Sequence, residues 1–337
     1  MKKVLVTLLV LAAIGGSLLY TTTGQNVLLS RVVAARIAGA GQAEFFDGLR
    51  VFMCGTSSPL QAAGRAQACV AVLAGEAIYI VDAGAGAALT TSLARLPLNR
   101  LRAVLLTHFH SDHIASVADF NLNSWVAGRP EPLRVIGPVG VSRVVEGLNE
   151  AYALDRGYRV AHHGADLLPP DLHVMRPQQI EPGLVLEANG LVVTALEVNH
   201  PPVSPAVAYR FDYRGRSVVI SGDTLVTEEL LTFVADSDLV LHDALSLRLV
   251  KALEGAAAGT RMSRVFHDIQ DYHASVESLD SLTGPGRAQQ LALYHLVPSP
   301  QNLLFKRIYL KDMPEGAVLT EDAMTFELPA DSDAITW

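Results

Sequence analysis

The chain has 337 residues, half of them hydrophobic, with 34 acidic against 26 basic side chains and a net charge of -8. That length and apolar share can bury at least one large core, which excludes a disordered tail or a coiled coil. The acidic balance, with no Lys/Arg cluster along the chain, withholds the electrostatic footprint that supplies most affinity for a phosphate backbone, so composition argues against nucleic acid as a partner.

Residues 1–20 set Lys2 and Lys3 ahead of an uncharged apolar run. We read residues 1–25 as a signal peptide or membrane anchor and residues 26–47 as a linker. Lysines before the run favour translocation of the body that follows. The expected location is therefore outside the cytoplasm, in a periplasm for instance, with contact to the inner membrane through residues 4–20 if the segment is not cut. A buried amino-terminal helix of a cytosolic protein is the other reading. Without residues 1–25 the balance becomes 24 basic against 34 acidic residues.

From about residue 48 short apolar runs alternate with turn signals and helical segments. Strands are expected at 49–55, 68–75, 77–84 and 101–107, the first three forming a meander, and again at 132–138, before a helix from Ser142 to Ala153. Residues 157–179, polar and weakly periodic, read as a loop near the mouth of a site. Asn189-Gly190 and Arg214-Gly215 each mark a hairpin turn between two strands, and further strands follow at 237–243 and 290–296. Two series of strands flanked by helices imply two sheets packed face to face in one domain, residues 48–337. No internal repeat is visible. Cys54 and Cys69 lie at the edges of strands that could be neighbours, which fits either a disulfide or two buried thiols.

The densest chemistry is the stretch Thr107 to His113, "THFHSDH", directly after a strand. His108, His110, Asp112 and His113 offer imidazole nitrogen and carboxylate oxygen from an irregular loop, which is what zinc coordination asks for. His108 and His110 can face one site while Asp112 and His113 face a neighbouring one. Four groups cannot close two sites, so further ligands at strand ends are required. His200 in "EVNHPP", Asp223 in "ISGDTL" and His295 in "LYHLVP" answer that requirement.

The order His-x-His-x-Asp-His, then His, then Ser-Gly-Asp-Thr, then His resembles the metallo-β-lactamase superfamily over residues 48 to about 330. The resemblance implies an α+β fold, an αββα sandwich of two mixed sheets with helices outside. It also implies two zinc ions sharing a bridging hydroxide. His108, His110 and His200 would hold one ion, Asp112, His113 and His295 the other, and Asp223 would bridge them. "CGTSSP", "VDAGAGA", "LHDALS" and "DYHAS" are similar to motifs of the ribonuclease Z and arylsulfatase-like branch. By that likeness His273 contacts the scissile ester, oriented by Asp243, while Asp112 can both ligate a metal and accept a hydrogen bond from the shared hydroxide. His163 and His242 are candidate substrate contacts.

Transfer-RNA-processing members of that branch carry a basic arm between the third and fourth metal motifs. Here His200 and Asp223 are 23 positions apart, which leaves no room for one. The leading expectation is thus a dizinc hydrolase of small phosphate diesters or sulfate esters, arylsulfatase-like, with a small-molecule ester as its partner and a homodimer as its possible assembly. A transfer-RNA 3'-processing endoribonuclease, a β-lactamase or lactonase, and a non-catalytic binding scaffold are the alternatives.

Overall fold

A computed structural model describes residue 7 and residues 15–38, 46–60 and 62–337. The chain falls into two units, residues 1–44 with 95–97 and residues 45–94 with 98–337. In the first, residues 15–20 are helical and a helix runs from Thr22 to Ala38. Most of residues 4–20, where a membrane anchor was expected, lies outside the described residues. The helix Thr22–Ala38 carries Gln25, Asn26, Arg31 and Arg36, and among the described residues no helix is long and apolar enough to cross a membrane.

The second unit is the αββα sandwich that the motifs implied. One seven-stranded sheet has the order β14-β1-β2-β3-β4-β5-β6, formed by β1 (Gly48–Gly55), β2 (Cys69–Ala74), β3 (Ala77–Val81), β4 (Leu101–Leu105), β5 (Arg134–Gly137), β6 (Arg176–Gln179) and β14 (Thr325–Pro329). The other has the order β13-β12-β11-β10-β9-β8-β7, formed by β7 (Gly183–Ala188), β8 (Leu191–His200), β9 (Val203–Tyr213), β10 (Arg216–Ile220), β11 (Leu239–Leu245), β12 (Gln290–Val297) and β13 (Val318–Leu319). The expected meander is β1-β2-β3, antiparallel throughout. A disulfide between Cys54 and Cys69 joins β1 to β2. Both hairpin turns are present, with positive φ at Asn189 and Gly190 and at Arg214 and Gly215, the backbone that suits the right-handed twist of the strands they connect.

Period-two alternation sorts the side chains. Leu49, Val51 and Met53 of β1, Leu191, Val193 and Ala195 of β8, and Val207, Tyr209 and Phe211 of β9 all enter the layer between the sheets. Burying side chains of this size contributes roughly 1.5–3 kcal/mol each. Strands β10 to β12 are parallel to one another and apolar on both faces. Val218, Ile220, Leu239, Leu241 and Tyr294 point inward. Val219, Val240, Leu291 and Leu293 pack outward against helices. That double burial is why these strands read as unbroken hydrophobic runs.

The segment expected as a loop at 157–179 instead contains a helix, Ala153–His163, a turn at Pro170–His173 and β6. The helix has no buried residue and is polar on average, so no core-facing apolar stripe marks it. His173, by contrast, is buried edge-on against Trp125, ring centroids 4.7 Å apart. Neither of its ring nitrogens has a hydrogen-bond partner among the described groups. Burial, aided by Arg156, lowers its pKa to about 4. The unfolded chain therefore binds a proton near pH 6.5 that the folded chain refuses until about pH 4, so this contribution to stability is complete above pH 6.5 and lost as pH falls. We predict that replacing His173 with Leu removes up to roughly 3 kcal/mol of acid destabilisation across that window, seen as a urea midpoint that changes less between pH 6.5 and 4 than that of the unsubstituted protein.

Candidate metal centre and hydrolytic site

The site forms at one edge where strands of both sheets end, β4, β10 and β12 parallel to a neighbour and β8 antiparallel to both of its own. The loop after β4 supplies His108, His110, Asp112 and His113, and the short helix Ser111–Ile114 begins inside it. From the other sheet come His200 at the end of β8, Asp223 just after β10 and His295 within β12. Opposite β11, the pairing of β12 skips a residue, Asp243 with Tyr294 and Ala244 with Leu296. His295 is that extra residue and has φ +44°; the bulge turns it out of the ladder and into the site.

All seven residues expected as metal ligands are brought together. Ligand atoms of His108, His110, His200 and Asp223 lie within 4.8 Å of one another, as do those of Asp112, His113 and His295. Asp223 sits between the sets: its Oδ2 is 3.3 Å from His113 Nε2 and 3.9 Å from both His108 Nε2 and His200 Nε2, while its Oδ1 is 3.4 Å from His295 Nε2. His295 Nε2 is also 3.1 Å from Asp112 Oδ2.

The residues fit metal. His113 Nδ1 donates to Asp82 Oδ2 at 2.9 Å, and His200 Nδ1 donates to the carbonyl of Tyr272 at 3.1 Å, which aims each Nε2 toward the cluster. His113 Nε2 and Asp223 Oδ1 are buried with no hydrogen-bond partner among the described groups, and such orphaned atoms cost about 1–3 kcal/mol each when nothing binds them. Burial, reinforced by His113, holds the pKa of His108 well below its ordinary value. Burial opposes ionisation of Asp223 too, yet His295 and His113 outweigh it and keep that carboxyl well below the usual range. Burial likewise disfavours the His113 cation, but Asp223 and Asp82 raise its pKa well above normal. The edge is thus dense in ionised carboxylates and inward-facing imidazole nitrogens.

The reading of the sequence missed Asp82, the acid of "VDAG". Its Oδ1 accepts the backbone N–H of Thr107 at 2.8 Å, and its Oδ2 accepts both Thr107 Oγ1 and His113 Nδ1 at 2.9 Å. One buried carboxylate therefore ties the start of the ligand loop to its end. Gly84, in the same turn, is required by space: a Cβ there would lie 2.2 Å from the carbonyl oxygen of Asp112.

Beside the cluster, His273 Nδ1 donates to Asp243 Oδ2 at 3.0 Å. Burial pushes Asp243 up, but hydrogen bonds from His242 and His273 outweigh it and hold its pKa below the ordinary value. A cavity of about 260 Å³ opens over His110, Asp112, Asp223 and His273, walled by Leu60, Val265, Ile269, Tyr272 and Val297. The two expected substrate contacts are elsewhere. His242 is fully buried and donates to the carbonyl of Asp243 at 2.8 Å; its place in the middle of a two-sided strand keeps it from the cavity. His163 is exposed on the last turn of the helix Ala153–His163 and does not line the cavity.

A family model for the metallo-beta-lactamase superfamily matches residues 62–258. The chain belongs to that superfamily. Among curated proteins, the ribonuclease Z of Mycolicibacterium gilvum (strain PYR-GCK) is 34% identical over 256 residues, covering 75% of this chain and 86% of the relative. The ribonuclease Z of Mycobacterium bovis (strain BCG / Pasteur 1173P2) is 34% identical over 254 residues, covering 74% and 87%. Among solved structures, the metallo-beta-lactamase fold protein YhfI from Bacillus subtilis has a TM-score of 0.60 at 18% identity, covering 83% of this chain and 98% of its own. The short form of human tRNase Z has a TM-score of 0.55 at 18% identity, covering 83% and 99%. At that identity these two show the fold.

The relatives correct two expectations. A small-molecule ester as partner, with nucleic acid set aside, is overturned by three-quarters of the chain aligning with proteins named ribonuclease Z; net charge averages a whole surface and is silent about what flanks the cavity. The expected export to a periplasm or inner membrane falls with it, since the relatives bear the name of an RNA-cutting enzyme. As a metallo-beta-lactamase superfamily member with this cluster, the protein is a metal-dependent hydrolase.

Asp82 offers the sharpest test of the centre. Asp82→Asn keeps the size but loses the charge that orients His113, and we predict a 10–100-fold loss of zinc affinity, read by competition with a chromophoric chelator.

Proposed function

We propose that this hydrolase is an endoribonuclease that cleaves a phosphodiester of RNA, with the 3' end of transfer-RNA precursors as its substrate. The observation that supports this most is the 34% identity to ribonuclease Z over 256 residues, joined to clustered His and Asp side chains that could hold metal. In this reading His108, His110 and His200 hold one zinc ion and Asp112, His113 and His295 a second, with Asp223 between them. Zinc bound there would lower the pKa of water toward neutrality and offset charge on the phosphate oxygens.

The chain's own groups do the rest. Asp223 and Asp112, kept ionised by the surrounding imidazoles, hold opposite sides of the cluster, and Asp112 lines the cavity where it can accept a proton from the attacking water. His273, with Nδ1 committed to Asp243, has Nε2 left to hand a proton to the leaving oxygen. Asp243, dry and anionic, stabilises the imidazolium while it waits. The apolar wall of Leu60, Val265, Ile269 and Val297 limits water beside the reacting bond.

Zinc-loaded protein is expected to cut a precursor transcript near its 3' end. Cleavage should stop on chelation and return with added zinc. Failure to cut while nitrocefin or a homoserine lactone is turned over would transfer the reading to a lactamase or lactonase. His273→Ala should lower kcat by about 10²–10⁴-fold with little change in KM, measured by single-turnover cleavage. An unaltered kcat would remove His273 from the chemistry.

A further inference from the structure

Between β11 and His273 the chain makes a hairpin of two helices, Leu247–Ala256 and Arg261–Asp268. Its base is anchored at the site, where Val250 and Ile269 pack with Leu245 and Val297 and are joined by Leu60, Phe266 and Tyr272. Its outer helix is open: no residue of Arg261–Asp268 is buried, and Met262 and Val265 are 42% and 41% exposed. Val265 and Ile269 of this element and the adjacent Tyr272 line the cavity over the metal cluster. The surface that frames the cavity is therefore continuous with a firmly seated but outwardly unpartnered helix.

Its charge runs against that of the molecule. Residues 247–268 carry Arg248, Lys251, Arg261 and Arg264 against Glu254 and Asp268, in a chain whose net charge is -8. Arg264 is 88% exposed and only 3.7 Å from an exposed Asp268, a pairing worth little in water. Arg261 is exposed with no ion pair among the described residues. Arg248 reaches Asp312 at 3.6 Å, which brings alongside it the helix Leu303–Asp312 with exposed Arg307 and Lys311.

An apolar and aromatic wall next to guanidinium groups is the surface that binds a single strand, bases against the wall and phosphates against the cations. Building on the ribonuclease reading above, we propose that the hairpin Leu247–Asp268 is the element with which this hydrolase grips its RNA. Tyr272, Val265 and Ile269 seat the base beside the scissile bond, and Arg261 and Arg264 hold the phosphates that lead away from it.

The test compares two double variants of the full chain on a precursor transfer-RNA transcript, with KM followed from roughly 50 to 200 mM salt. Arg261→Ala with Arg264→Ala should raise KM about tenfold and flatten the slope of log KM against log salt by about 1.4, the loss of two single-strand phosphate contacts. Arg102→Ala with Arg143→Ala removes equal charge from exposed positions on β4 and on the helix Val141–Ala151, and should alter neither. Equal effects from both pairs, or none from the first, would overturn the proposal while leaving RNA as the substrate. A protein that neither binds nor cuts the transcript at any salt would overturn the ribonuclease reading and the grip together.

Discussion

The active edge depends on strands from two different sheets ending at the same place, β4, β10 and β12 each parallel to a neighbour. A parallel strand presents its carboxyl-terminal end to the loops that follow, and here β4, β10 and β12 bring His108, Asp223 and His295 to within a few ångströms. Packed so tightly, five imidazoles and two carboxylates face one another with few protons to share. His108 Nε2 is 2.9 Å from His110 Nδ1, and His113 Nε2 has no hydrogen-bond partner among the described groups. An edge with this inventory favours a bound cation, which ties metal uptake to its integrity.

The surrounding hydrogen bonds make that convergence specific. Asp82 joins Thr107 and His113, the backbone of Tyr272 aims His200, and Asp243 aims His273. Each is a buried polar contact whose loss would free a ring to rotate about χ2 by tens of degrees, enough to move a nitrogen lone pair off target. Gly84 and Gly222 serve the same end through space. A Cβ on Gly222 would lie 2.9 Å from the Cβ of Thr107, so the two sheets meet at the ligand loop with no room for a side chain.

The proposed grip for RNA lies on the second sheet. The hairpin Leu247–Asp268 grows from the end of β11, beside the cavity, and its charge is opposite in sign to that of the whole chain. An acidic protein can still engage a polyanion when its few cations stand where the strand must pass, because screening confines electrostatic attraction to about a Debye length of 8–10 Å.

The sequence alone determined what local spacing can encode. The ligand loop, the two hairpin turns and the strand-end positions of His200 and Asp223 follow from side-chain order and period, since a strand and the loop after it are read within a dozen residues. Tertiary structure alone decided which distant groups meet. The bulge that turns His295, the carboxylate of Asp82 under His113, the burial of His242 and the exposure of His163 depend on packing between elements up to two hundred residues apart. The same holds for charge: a net of -8 is a sum over the chain, whereas the hairpin Leu247–Asp268 by itself carries four basic residues against two acidic ones.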